Sequence, residues 1–423
     1  MVCPIHASLC HVATGFLKSR SRQPEKKQVG IRDGYCRPTE SRTMHAEGEP
    51  TDPESLAVPV VTRAATQSSP ATRIVGFDVA RSLAIFGMAV IHFNLVMTDG
   101  GSSWLQWMAD RAAGRPAAVF MILAGIGIAI RSRRAAEQGA VAIHRARRVL
   151  IRRGMFFLLC GFVFLTVWPG DILRVYGVSF LIAAPLLLLP SRPLLILAAS
   201  IIAVFVGMVF LLDFSAGWDF KTLHYAGLWT AQGATRNLLF NGFRAVFPWT
   251  ALLLMGMCLG RIDWSSQAVR RTTILCGLMV TTIAEVISRP LVAMAISAGN
   301  PSADAVAVFG TDSLPAMPLF LLSAGGLACA VIACSVGCAE ARPRGLIIRS
   351  LAATGQTAFT WYIAHVVVGV GGLYAIGFVQ RHTSLLALAT ATGAFALAMF
   401  SSHVYRRRFR YGPLEWVLRR VAG

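Results

Sequence analysis

From Ile74 onward the chain is a succession of apolar runs, most of them about 20 residues long, divided by short segments rich in Arg. Runs of that length match the hydrocarbon thickness of a bilayer, where every backbone N–H and C=O must be satisfied within a helix or a closed barrel. The runs are apolar throughout, without the two-residue alternation of a membrane barrel, so helices are expected. Composition agrees: 14% of residues are charged, 55% are hydrophobic and the mean hydropathy is +0.60. Soluble domains carry about 25% charge, so a soluble enzyme is excluded. With 9 cysteines among 423 residues, so is a small disulfide scaffold. The fold class is all-α, a polytopic integral membrane helix bundle. About ten transmembrane helices are expected, near 76–97, 116–131, 154–170, 173–190, 193–212, 246–261, 272–296, 315–338, 355–377 and 384–404.

The net charge of +20 does not point to nucleic acid, because the Arg residues cluster between apolar runs. With the N-terminus inside, the inward loops and C-terminal tail hold about three times as many basic residues as the outward loops. This places a ten-span protein in the plasma membrane with both termini cytoplasmic. Residues 1–72 lack apolar periodicity and read as a disordered cytoplasmic tail without a cleaved signal. Within them, Met44 is an alternative translational start. The membrane domain covers 73–405, and 406–423 form a basic cytoplasmic tail.

Ionisable side chains are costly in hydrocarbon, so those within spans are the first functional candidates. Arg81 and His92 are eleven residues apart on the first span. That is close to three turns, on one face and about 16 Å apart. Imidazole is the natural general base for an alcohol near neutral pH, although a histidine also bonds neighbouring helices together. His365 and His403 are further candidates with less around them. Towards the outer side lie Asp171, Arg174 and Tyr176, the pair Glu285 and Arg289 four residues apart, and Trp249 after Pro248. These can line an external cavity, or fix helix register as ion pairs. Towards the cytoplasm, the loop containing Arg148 and Arg152 holds eight Arg against Glu137. It suits phosphate or lipid headgroups as well as topology. Cys334 and Cys338 share a helix face and read as packing residues, so no metal site is expected.

The spacing Arg73-x4-Asp78-x2-Arg81-x10-His92, with Phe120 to Gly125 in the second span, resembles the transmembrane acyltransferase superfamily, including the heparan-alpha-glucosaminide N-acetyltransferases. The later pieces resemble the uncharacterised YeiB-like membrane proteins. These are Gly170-Asp171-Ile172-Leu173, Phe247-Pro248-Trp249 with Leu253 to Gly256, Gly355 to Thr360, and Gly412-Pro413-Leu414-Glu415-Trp416. Ser82 departs from the Gly usual after the Arg, and the YeiB-like branch commonly lacks the histidine retained here as His92.

The resemblance implies acyl transfer, most simply acetyl, from cytoplasmic acetyl-CoA as a co-substrate to an extracytoplasmic carbohydrate or lipid. No cofactor would be permanently bound. His92 would be the base, Asp78 would orient Arg81, and Arg81, Arg148 and Arg152 would hold CoA phosphates. Asp171, Arg174, Tyr176, Trp249, Glu285 and Arg289 would face the acceptor, with Arg174, Tyr176 or Trp249 as oxyanion donors. The partners are then the bilayer, acyl-CoA and the glycan or lipid acceptor, with a homodimer left open. A transporter or flippase, or a non-catalytic membrane scaffold, is the rival reading. No internal repeat supports transport.

Overall fold

Helix α1 (Val75–Met97) sits at the centre of the bundle because small residues let its neighbours come close. In the computed structural model, which describes residues 73–99, 103–220 and 222–423, α1 packs most extensively on four helices. They are α3 (Arg115–Glu137), α11 (Pro318–Ala341), α12 (Leu346–Gln356) and α14 (Ser384–Arg408). A Cβ at Gly76 would lie 2.2 Å from the Val336 Cα, and one at Gly355 would lie 1.8 Å from the Asp78 carbonyl oxygen. Gly355→Ala is therefore expected to push α12 off α1 and to cost about 1–3 kcal/mol, read as a lowered unfolding temperature in detergent. An unchanged temperature would mean that the two backbones do not touch.

The same device joins other pairs. Gly125 of α3 faces the Leu253 carbonyl of α8 (Val246–Leu259), and Gly256 of α8 faces the Ile122 carbonyl of α3. Two of the sequence motifs are thus the two sides of one helix crossing. Gly277 of α9 (Gln267–Ser297) and Gly326 of α11 face each other's carbonyls in the same way.

Among the described residues, seven helices are long and apolar enough to cross a membrane. There are eight if α7 (Ala231–Arg236), its π-helical continuation Asn237–Asn241 and α8 count as one span bent by 47°. The expected ten is not reached on this criterion. The shortfall falls on α4 (Ala140–Leu165), whose first half is crowded with Arg, and on α5 (Leu173–Ala183). The 11 residues of α5 span only about 16 Å as a helix. At the other end of the chain, Arg406 Nε donates to Gln356 Oε1 (3.0 Å), and Gln356 Nε2 donates to Asp78 Oδ2 (3.3 Å). The start of α1 and the end of α14 therefore lie on one face of the bundle, which requires an even number of crossings. Eight satisfies this, and an α4–α5 excursion out and back leaves the parity unchanged.

The connection after α6 (Ser191–Leu211) contains the one β-ribbon among the described residues, Trp218–Asp219 paired antiparallel with His224–Tyr225. Helix α13 (Ala358–Ala375) is interrupted by a π-helical stretch, His365–Val370. The C-terminal segment does not trail away. Its α15 (Pro413–Ala422) packs on α4 and α13. Glu415 accepts from the Phe359 and Thr360 amides (2.7 and 3.1 Å) and the Thr360 hydroxyl (2.6 Å), capping the first turn of α13. The expected tail 1–72, with its Met44 start and three cysteines, lies outside the described residues.

Candidate functional site

Two histidines from opposite ends of the sequence meet at one end of the bundle. His92 lies near the end of α1, and His365 is the first residue of the π-helical stretch of α13, where the widened turn shifts the side-chain register. Their rings stack with centroids 5.1 Å apart, and His92 Nδ1 is 2.9 Å from His365 Nε2. The direction of these hydrogen bonds follows from a third group. His365 Nδ1 is 3.0 Å from the Trp361 carbonyl, which can only accept, so that nitrogen carries hydrogen. In a neutral ring His365 Nε2 is then bare and accepts from His92 Nδ1. His92 Nε2 is left with its lone pair, the state a general base requires.

His92 borders a small cavity that opens to solvent. Gly114 and Pro116 at the start of α3, Gly170 and Ile172 between α4 and α5, Arg244 and Tyr362 also line it. Arg244 stands over the ring of Trp249, its Cζ 4.8 Å from the centroid, and gives Nη1 to the Phe243 carbonyl (2.6 Å). This is a cation–π mount that leaves guanidinium N–H groups for a ligand. The Tyr362 hydroxyl accepts from the Ile172 amide (3.2 Å) and donates to Asp171 Oδ1 (3.4 Å).

None of the six residues expected on this side from sequence, Asp171, Arg174, Tyr176, Trp249, Glu285 and Arg289, lines the cavity. Trp249 is buried against Phe320 and reaches the cavity only through Arg244. Asp171 and Arg174 are both 0% exposed, so they stand behind the wall. Asp171 Oδ1 and Oδ2 accept from the Leu173 and Arg174 amides (2.9 and 3.1 Å), capping α5, and Oδ2 also accepts from Arg174 Nε (3.4 Å). Arg174 Nη1 donates to Asn237 Oδ1 (3.0 Å) in the other π-helical stretch. Tyr176 packs among Phe157 and Phe180.

The expected pairing of Glu285 with Arg289 does not form. Glu285 turns instead to Arg115 (Nη2 to Oε1, 2.6 Å) and Arg111 (Nη1 to Oε2, 3.4 Å), and accepts from the Thr311 and Ser323 hydroxyls (2.9 and 2.7 Å). Arg289 is exposed. The physical reason is that one partner on the same exposed helix competes with four donors converging from other elements. This network ties α9 to Arg115, beside the cavity-lining Gly114 and Pro116.

At the opposite, Arg-rich end, Arg81 Nη1 donates to Asp78 Oδ1 (2.5 Å), and Gln356 holds the other carboxylate oxygen. Asp78 is buried while the Arg81 side chain stays about a third exposed, so the carboxylate orients a partly accessible cation. Arg148 and Arg152 are exposed on α4, and no polar contact joins them to Arg81 among the described residues. No group of three or more His, Cys, Asp or Glu suited to a metal occurs among the described residues. His403 bonds Ser350 and Arg407, away from the dyad.

Sequence reasoning missed Arg244 and Tyr362 and underweighted His365. Arg244 precedes Phe247-Pro248-Trp249, and Tyr362 and His365 follow the Gly355 to Thr360 motif, so the signal was their nearness to motifs.

A family model described as a protein of unknown function (DUF418) matches residues 258–423, which include Tyr362 and His365. The uncharacterized protein YeiB of Escherichia coli (strain K12) is 25% identical over 304 residues, 66% of this chain and 76% of that protein. A model described as heparan-alpha-glucosaminide N-acetyltransferase, catalytic, matches residues 73–294, more than half of the chain, and takes in His92, Gly170 and Arg244. On the extent of that match the chain belongs to the heparan-alpha-glucosaminide N-acetyltransferase catalytic family, a family of membrane acetyltransferases.

Proposed function

We propose that the protein transfers an acetyl group from cytoplasmic acetyl-CoA to a hydroxyl or amine of an extracytoplasmic carbohydrate or lipid. The observation that carries this reading is the chain from the Trp361 carbonyl through His365 to His92, which leaves His92 Nε2 unprotonated at a cavity beside a cation. His92 Nε2 takes the proton of the acceptor O–H or N–H, and the freed electron pair attacks the thioester carbonyl carbon. Negative charge then grows on the carbonyl oxygen and is met by Arg244. The C–S bond breaks, the thiolate leaves, and the proton held by His92 passes to it. The products are the acetylated acceptor and CoA thiol.

At the other end, Arg81, oriented by Asp78, binds a CoA phosphate, and the exposed Arg148 and Arg152 raise the local anion concentration. The rise of α1 between Arg81 and His92, about 16 Å, is bridged by the extended arm of the donor. The Arg-rich end faces the cytoplasm, in keeping with the bias of basic residues.

The test uses proteoliposomes and labelled acetyl-CoA, a membrane-impermeant donor, with an envelope glycan and lipid extract as acceptor. Label is expected in the extract, with one thiol released per acetyl moved, only when donor meets the Arg-rich face. Solute movement without thiol release would point to transport instead.

A further inference from the structure

The indole of Trp168, in the turn after α4, packs against His92 with ring centroids 4.7 Å apart. Trp168 is 7% exposed, and its Nε1 is buried with no hydrogen-bond partner among the described residues. An indole N–H can only donate, and burying a donor without an acceptor is unfavourable, so a buried orphan beside a reactive base calls for an explanation. Gly170 supplies one. It lines the same cavity as His92, and a Cβ at that position would lie 2.8 Å from Trp168 Nε1. The Gly170 backbone does not have the positive φ that reserves a position for glycine. What glycine provides here is the absence of a side chain over the indole N–H.

We propose that Trp168 is a catalytic residue whose indole N–H donates to the thioester carbonyl oxygen as it becomes an oxyanion, together with Arg244. This rests on the acetyl-transfer reading. Two donors of different kinds then flank the base: a cation held on Trp249 and a neutral N–H held against His92. A donor that has no partner in the resting protein gains its bond when the charge develops, which is the differential binding that lowers a barrier.

The experiment measures steady-state transfer by the full-length protein in nanodiscs for Trp168→Phe, Gly170→Ala and the double variant. Trp168→Phe keeps an aromatic ring beside His92 and removes the N–H. It is expected to lower kcat about 10- to 100-fold and leave the KM for acetyl-CoA nearly unchanged. Gly170→Ala, which covers the N–H, is expected to lower kcat similarly. The double variant should be no worse than Trp168→Phe, because the group that the methyl hides is already gone. Wild-type kcat in Trp168→Phe, a raised KM with kcat intact, or losses that multiply in the double variant would each overturn the assignment. If the wild-type protein transfers no acetyl group, the transferase reading itself fails, and this inference fails with it.

Discussion

Replacing His92 with alanine is expected to lower the rate of acetyl transfer by about 10²- to 10⁴-fold, the range that a positioned general base supplies. The unfolding temperature should change little, because His92 is only partly buried and borders empty space. The size of the loss depends on the hydrogen-bond chain, so His365 offers a graded check. His365→Gln keeps an oxygen able to accept from His92 Nδ1, whereas His365→Phe keeps only bulk. The glutamine variant is expected to retain more activity than the phenylalanine variant, with an overall loss of about 10- to 100-fold for a group that orients another. His403→Ala, at the Arg-rich end, should leave transfer unchanged. Transfer that survives His92→Ala would remove the imidazole from the reaction.

The second large effect concerns stability. Asp171→Ala is expected to cost about 3–5 kcal/mol, because it leaves the guanidinium of Arg174 as an unpaired buried charge. The first amides of α5 lose their acceptor in the same substitution, and Tyr362 loses the oxygen it donates to. The measurement is unfolding of the purified protein, by heat or by denaturing detergent. Replacing Arg174 with Met in the Asp171→Ala background should recover part of the loss, since the charge goes with its partner. A variant that unfolds like wild type and yet fails to transfer acetyl would instead give Asp171 a direct role in the reaction.

The two expectations separate roles that the sequence could not. Asp171, just ahead of α5, and His92, within the last turns of α1, are both polar residues in apolar surroundings. One is enclosed by amides, a guanidinium and a phenol, while the other borders a cavity. The difference lies in which neighbours arrive, and these come from Asn237, Tyr362 and His365, far along the chain.

Legibility varied with range. The helical class was accessible, since apolar length is a local property, whereas the crossing of α3 by α8 came only from the structure. The pairing of Asp78 with Arg81 was what the family resemblance implied, and the structure forms it between residues three apart on one helix. Glu285 did not form such a pair. Its i+4 partner Arg289 was outcompeted by Arg111 and Arg115 from a segment about 170 residues earlier. The count of spans was readable only where helices are long and clean. Arg residues within α4 and the brevity of α5 blur it.

By itself the sequence determined the membrane setting, the all-helical class and the clustering of basic residues between apolar runs, because each follows from composition or from patterning within one element. Only the tertiary structure decided that His365 orients His92, that Arg244 and Trp168 stand beside it, and that Asp171 and Arg174 form a buried brace. Hydrogen-bond direction and access depend on atoms brought together from distant segments, and periodicity along the chain carries no information about which segments will meet.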